Sequence, residues 1–245
     1  MHVRPAHATD LADLATIARD AMYYDELTVV LAPHRHRHPE CLRQGILRRL
    51  KKRFYDGHVV LAAVSDENDI WWDGVERVVG HLSASSTKQK KMDTETEKKP
   101  WLPFSWNELE LRLLRLEDLF AWYTHADQSL SRKAWAQFVN GPHDTRPFAN
   151  IKEYWHVDHV SVDPAYQRKG IGSAMIKWLQ NIAAEDNLPI ILVASHQGRP
   201  MYQKSGFVDR GPSVMGLGLV NEAMAWFPPA MSTSHSAGET EDGCP

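Results

Sequence analysis

VDHVSVDPAYQRKGIGSAM, residues 157–175, changes character in its middle. Val and polar residues alternate up to Val162, the two-residue period of a strand with one face buried. Asp163-Pro164 ends that pattern, Gln167-Arg168-Lys169-Gly170-Ile171-Gly172 follows, and an apolar-periodic run starts at once. Strand, glycine turn and helix are therefore predicted in direct succession. A helix opening at Gly170 leaves the N–H groups of its first turn unpaired and places the positive end of its dipole there. Gly170 and Gly172 carry no Cβ, so a phosphate can come close to the backbone. Arg168 and Lys169 add charge, and Ser173 adds a hydroxyl donor. The construction reads as a diphosphate cradle.

Working outward, strands at Trp155–Val162 and Ile190–Ala194 enclose one helix, Gly170–Glu185. That is the pattern of a right-handed parallel crossover with the two strands adjacent in the sheet. The glycine turn then lies at the carboxyl end of a parallel strand, the edge at which open α/β sheets bind ligands. A short helix, Pro200–Lys204, is closed by Gly206, and strand resumes from Phe207. On the N-terminal side, His2–Pro5 reads as a short strand. Thr9 or Asp10 caps a helix through Leu11, Leu14, Ile17, Ala18 and Met22. LAPHRHRHPE (31–40) reads as a loop, with Pro39 in the first turn of a helix through Cys41, Leu42, Ile46, Leu47 and Leu50 whose exposed face is basic. Val59–Val64 and Arg77–Ser83 are predicted to pair antiparallel. Helical periodicity runs from about Leu109 to Val139, in one or two pieces, and GPHDTRPF (141–148) stops it.

These elements predict one mixed α/β domain over residues 1–230, with a polar insertion at about 86–110, a helical insertion to about 150, and a disordered tail at 231–245. The aromatic concentration Trp101, Phe104, Trp106, Phe120, Trp122, Tyr123, Trp135 and Phe138 reads as core packing, with an apolar acceptor pocket as the alternative. With 43% hydrophobic and 24% charged residues the chain has the composition of a soluble globular protein. A net charge of -3 gives no reason to expect nucleic acid or an anionic membrane as partner. The two cysteines, Cys41 and Cys244, imply no disulfide framework. The N-terminus shows no basic head followed by an apolar run, so the cytoplasm is expected.

Two phosphate-binding alternatives fail on particular residues. A dinucleotide fingerprint needs a third glycine where Met175 stands and an acidic residue about 20 positions on, which Ile190–Ala194 does not supply. A nucleoside-triphosphate loop needs Gly-Lys-Ser or Gly-Lys-Thr, and the turn has neither.

Val160-Ser161-Val162-Asp163-Pro164-Ala165-Tyr166-Gln167-Arg168-Lys169-Gly170-Ile171-Gly172 resembles the acetyl-CoA-binding motif of the GCN5-related N-acetyltransferases (GNAT). Pro200-Met201-Tyr202-Gln203-Lys204-Ser205-Gly206-Phe207 is similar to a second segment of that family. The resemblance implies a mostly antiparallel mixed sheet with a splayed parallel strand pair and flanking helices. It implies acetyl-CoA as cosubstrate and direct attack by a primary amine in a ternary complex. By the same resemblance Val160, Ser161 and Val162 line the pantetheine arm. Gln167, Arg168, Lys169, Gly170, Ile171, Gly172 and Ser173 hold the diphosphate, and Tyr202 protonates the departing thiolate. Ser195 stands where many members carry Asn, leaving a hydroxyl to bond the pantetheine.

Attack on a thioester needs a base for the amine. Strand periodicity places His156 and Asp158 on one face with Val160 and Val162, unless a bulge reverses the parity and brings His159 round instead. An unperturbed histidine titrates near ~6.5 and can take a proton at neutral pH; Asp158 is read as its orienting group or its substitute. No metal site is expected: neighbours in His156-Val157-Asp158-His159 diverge, and His34, His36 and His38 read as a solvated loop face. The expected acceptor is a small-molecule amine, because the insertion is long enough to wall off a pocket. Acetylation of a protein lysine or N-terminus, or a CoA-binding sensor without turnover, are the alternatives. A monomer or homodimer fits either.

Overall fold

A computed structural model describes residues 1–88 and 105–229. Much of the polar insertion, Trp101 and Phe104 within it, and the C-terminal tail lie outside the described residues. Seven strands form one sheet: β1 (His2–Pro5), β2 (Val59–Val64), β3 (Val78–Ser86), β4 (Trp155–Val162), β5 (Ile190–Ala194), β6 (Val208–Met215) and β7 (Leu219–Trp226). Their spatial order is β1-β2-β3-β4-β5-β7-β6, and every pairing is antiparallel except β4 with β5. The last strand is thus inserted between β5 and its own hairpin partner.

Helices cover both faces. On one lies α6 (Ile171–Glu185), whose Ile171, Met175, Ile176, Leu179 and Ala183 recur at the three- and four-residue spacing of one helix face. They are fully buried against Leu61, Leu82, Val157, Ile190 and Leu192. Each of the larger side chains among them, removed from water, stabilises the fold by about 1.5–3 kcal/mol. Gly80 lets β3 approach this helix, since a Cβ there would stand 3.0 Å from Ile171 Cγ2. On the other face, α1 (Leu11–Ala21) and α3 (Pro39–Tyr55) bring Leu11, Leu14 and Leu50 onto Val60, Ala62 and Val64. α7 (Arg199–Lys204) follows β5.

The sequence reading missed one helix, α2 (Glu26–Leu31), which is capped by Asp25 accepting the Leu27 N–H. It is too short to show periodicity. The long helical stretch is two helices, α4 (Trp106–Tyr123) and α5 (Arg132–Asn140), broken where His125 takes φ 55°. Core packing is not what most of the aromatics here do: Trp106, Phe120 and Tyr123 are 79%, 68% and 85% exposed among the described residues. The segment after α5 is instead tied to β6 by hydrogen bonds. Asp144 N–H donates to Val214 O, Ser213 Oγ to Asp144 O, and Arg210 to Pro147 O.

Candidate active site

The parallel pair that defines the site is paired only at its start. Trp155 and His156 of β4 register with Ile190 and Ile191 of β5, and no further pairing follows. Beyond that point β4 stays with β3 to Val162 and β5 stays with β7 to Ala194. The two facing edges open into a wedge at the carboxyl ends of both strands. Ser161 Oγ is buried without a hydrogen-bond partner among the described residues.

At the mouth of the wedge the turn is shaped by two residues with positive φ, Arg168 at 65° and Gly170 at 81°. Gly170 is the N-cap of α6, and that conformation is what requires glycine there. Gln167 Nε2 donates to Val162 O at 3.2 Å and so ties the turn back to its strand. Lys169 Nζ lies 4.9 Å from the Trp71 ring and 4.8 Å from the Tyr166 ring, a cation held between two aromatics. Among the described residues the N–H groups of Arg168 through Ser173 find no hydrogen-bond acceptor, and Ser173 is exposed. Gly172 differs from its sequence reading. A Cβ on it would stand 2.6 Å from Met201 Sδ, so its bareness seats α7 against α6.

The strand β4 carries a bulge. Ser83 registers with His159 and Ala84 with Val157, which leaves Asp158 without a register partner. The extra residue reverses the parity. Trp155 and Val157 pack toward α6, as do Val160 and Val162 further on. His156 therefore does not share a face with Val160 and Val162, contrary to strict alternation; it joins His159 and Ser161 on the side of α1 and α3.

On that side Asp158 accepts from two imidazoles, His156 Nδ1 at 3.1 Å and His58 Nδ1 at 3.0 Å. Burial alone would push its carboxyl up, but the two hydrogen bonds and the field of Arg53 outweigh it and hold it well below the usual carboxylate range. An ionised carboxylate can only accept, so each imidazole donates the proton on its Nδ1, and in the neutral ring of His156 Nε2 is then the lone pair. His156, 41% exposed at its side chain, offers that lone pair to the open side. His159 is the opposite case. Burial, with the fields of Arg53 and Arg49, pushes its pKa down to about 3. Its ring stacks on His81 with centroids 4.9 Å apart. His58, in the turn after α3, carries no motif, and nothing in the sequence around it points to Asp158.

Tyr202 projects from α7 into the core beside the wedge, 8% exposed, its ring 5.6 Å from that of Phe207. Burial pushes its phenol up, so the proton is retained through the whole working pH range. Ser195, just past β5, accepts the Gly198 N–H at 3.2 Å and keeps its own hydroxyl proton to donate. A Cβ on Gly198 would touch both Ser195 Oγ and the Tyr202 ring, so the three residues adjoin.

Residues 132–226, from α5 to the end of β7, match the family model described as an acetyltransferase (GNAT) domain. Those residues carry a GNAT acetyltransferase domain. The chain is 25% identical over 212 residues to an acetyltransferase of Stachybotrys chartarum, covering 84% of this chain and 79% of that one. It is 24% identical over 170 residues to an uncharacterized N-acetyltransferase of Schizosaccharomyces pombe, covering 69% and 66%. In fold it resembles the crystal structure of a histone acetyltransferase HPA2 and related acetyltransferase from Corynebacterium glutamicum. There the TM-score is 0.58, the identity 18%, and the coverage 94% of this chain and 96% of the other. The seven-strand sheet with one splayed parallel pair is thus the GNAT fold, and the N-terminal strands β1 to β3 complete it ahead of the matched residues. Among the described residues no group of three His, Cys, Asp or Glu could hold a metal ion. No helix among them is long and apolar enough to cross a membrane.

Proposed function

We propose that this enzyme transfers the acetyl group of acetyl-CoA to a primary amine of a small molecule, with His156 as base and Tyr202 as acid. The observation that carries the reading is the pairing of His156 with Asp158 at the bulge, next to the point where β4 and β5 part. The chain's own groups suit CoA. The N–H groups of Arg168 through Ser173 suit a diphosphate at a helix N-terminus. The unpaired edges of Val160, Ser161 and Val162 suit the amide groups of pantetheine, and Ser195 can donate to the same arm. Ile171 contributes only its backbone, because its side chain is buried.

Acetyl-CoA supplies the thioester. His156 Nε2 takes the proton that the amine sheds as its nitrogen bonds the carbonyl carbon, directly or through one water. Asp158 keeps the imidazole in the tautomer that can do so and stabilises the imidazolium. Tyr202 gives its hydroxyl proton to sulfur as the carbon–sulfur bond breaks. The products are the N-acetyl amine and CoA thiol. A small acceptor is the reading taken from the length of chain inserted between β3 and β4. Thiol release measured across aryl amines, polyamines, amino acids and short peptides tests the reading; release only with peptides would overturn the small-acceptor assignment.

A further inference from the structure

Two arginines of α3, Arg49 and Arg53, are chemically unused by this scheme. Arg48 and Lys52 point outward and pair with Asp118 of α4. Arg49 and Arg53, one residue on in each case, form no ion pair among the described residues. Arg53 Nη1 donates to Ser83 Oγ at 3.3 Å, beside His159 in the sheet register. Arg49 lies over the Trp135 ring at 5.7 Å. Arg49 is exposed to water although protein crowds it. That crowding pushes its pKa down to about 10, leaving it charged at neutral pH.

Asp127 and Asp158 lend their fields to Arg49 and Arg53, but their hydrogen bonds go to Ser129 and to the two histidines, not to the guanidiniums. A second observation points to a polar occupant of the same sheet face. Both ring nitrogens of His81, Nε2 of His159 and Oγ of Ser161 are buried without partners among the described residues. Buried polar groups left unpaired destabilise a fold unless water or a ligand meets them. Arg53 touches Ser83, and Ser85, two residues along the same strand face, registers with His156. Those positions are ~7 Å apart, within the span of one small molecule.

Resting on the acetyl-transfer reading, we infer that the acceptor carries a carboxylate as well as its amine, and that Arg53 and Arg49 bind that carboxylate while the amine lies at His156. Two guanidiniums suit a planar oxyanion, which they can hold bidentately. The acceptor class is then an amino acid or a related amino carboxylate.

The test compares α-, β- and γ-amino acids with amines of the same skeleton lacking the carboxylate, and with the corresponding amides. Thiol release is measured for the wild-type protein and for Arg53→Gln, Arg49→Gln and Arg48→Gln. At least one amino acid should exceed its decarboxylated and amide forms by about 10–100-fold in kcat/KM. Arg53→Gln and Arg49→Gln should collapse that ratio toward one, and Arg48→Gln should preserve it. Calorimetric binding of the N-acetylated amino acid to the CoA-loaded protein gives a readout independent of turnover and should weaken in the same two variants. Equal or better use of the neutral amines, or a preference untouched by both variants, overturns the inference and leaves the acetyl-transfer reading standing. Bound CoA with no thiol release to any amine, charged or neutral, overturns that reading and this inference with it.

Discussion

His58 and Asp158 stand 100 residues apart in the chain and 3.0 Å apart in the fold. The contact ties the turn after α3 to the bulge of β4, and it occupies one carboxylate oxygen so that only the other is left for His156. A carboxylate shared in this way stays ionised and positions an imidazole; it is a poor proton acceptor itself.

Asp158→Asn should therefore act through its histidines. Removing the negative charge favours neutral imidazole, so the acidic limb of the pH–rate profile should move to lower pH while kcat falls by ~10–100-fold. His156→Ala should remove the limb altogether. An Asp158→Asn profile that coincides with wild type would remove the carboxylate from the proton path.

Tyr202→Phe keeps the ring against Phe207 and deletes only the hydroxyl. Turnover should fall by ~10²–10⁴, the range for a general acid, with CoA affinity and melting temperature nearly unchanged. Normal turnover by the folded variant with an amine that wild type accepts would eliminate Tyr202 as the acid.

Ser173→Asp separates cofactor binding from folding. A carboxylate in the first turn of α6 complements the helix dipole, so the melting temperature should hold or rise. The same charge repels a diphosphate, so CoA affinity measured by calorimetry should drop by roughly tenfold or more. Gly172 cannot serve this purpose because any Cβ there collides with Met201. Unchanged affinity would move the diphosphate elsewhere.

Acid stability should bear the signature of His81 and His159. Both are buried and held neutral in the folded state, His159 down to about 3, whereas the unfolded chain protonates them near ~6.5. The unfolded state thus binds more protons below that pH, and each group lowers folding stability by up to about 1.4 kcal/mol per pH unit as pH falls from ~6.5 toward 3. His81→Leu should make the acid limb of a urea-denaturation series shallower by one proton. An unaltered slope would mean that His81 is hydrated and titrates freely.

Local patterns in the sequence carried the frame of the site. Trp155–Val162 has the stated limits, and the glycine turn stands where a parallel strand meets a helix. The bulge left no trace, because His156, Asp158, His159 and Ser161 supply polar residues at both parities of the strand. His58 was illegible for a different reason: its partner lies across the sheet, and no local spacing encodes a contact of that range. The basic face of α3 was visible, but not its division. Arg48 and Lys52 face α4, while Arg53 reaches Ser83 of the sheet and Arg49 the Trp135 ring of α5, and only the packing of those elements decides which is which.

The strand order has a consequence for how the protein comes into being. β5 reaches its final neighbour only when Leu219–Trp226 arrives, and that strand is the last in chain order among the described residues. The half of the sheet from β1 to β4, with its histidines and the bulge, can pair while the C-terminal hairpin is still being made. Until then the free edge of β5 exposes an Ile190-Ile191-Leu192-Val193 segment of the kind that pairs with other chains. A pause or truncation before Trp226 would thus release a nearly complete sheet with an adhesive edge, and nascent-chain aggregation rather than lost chemistry would be its first symptom.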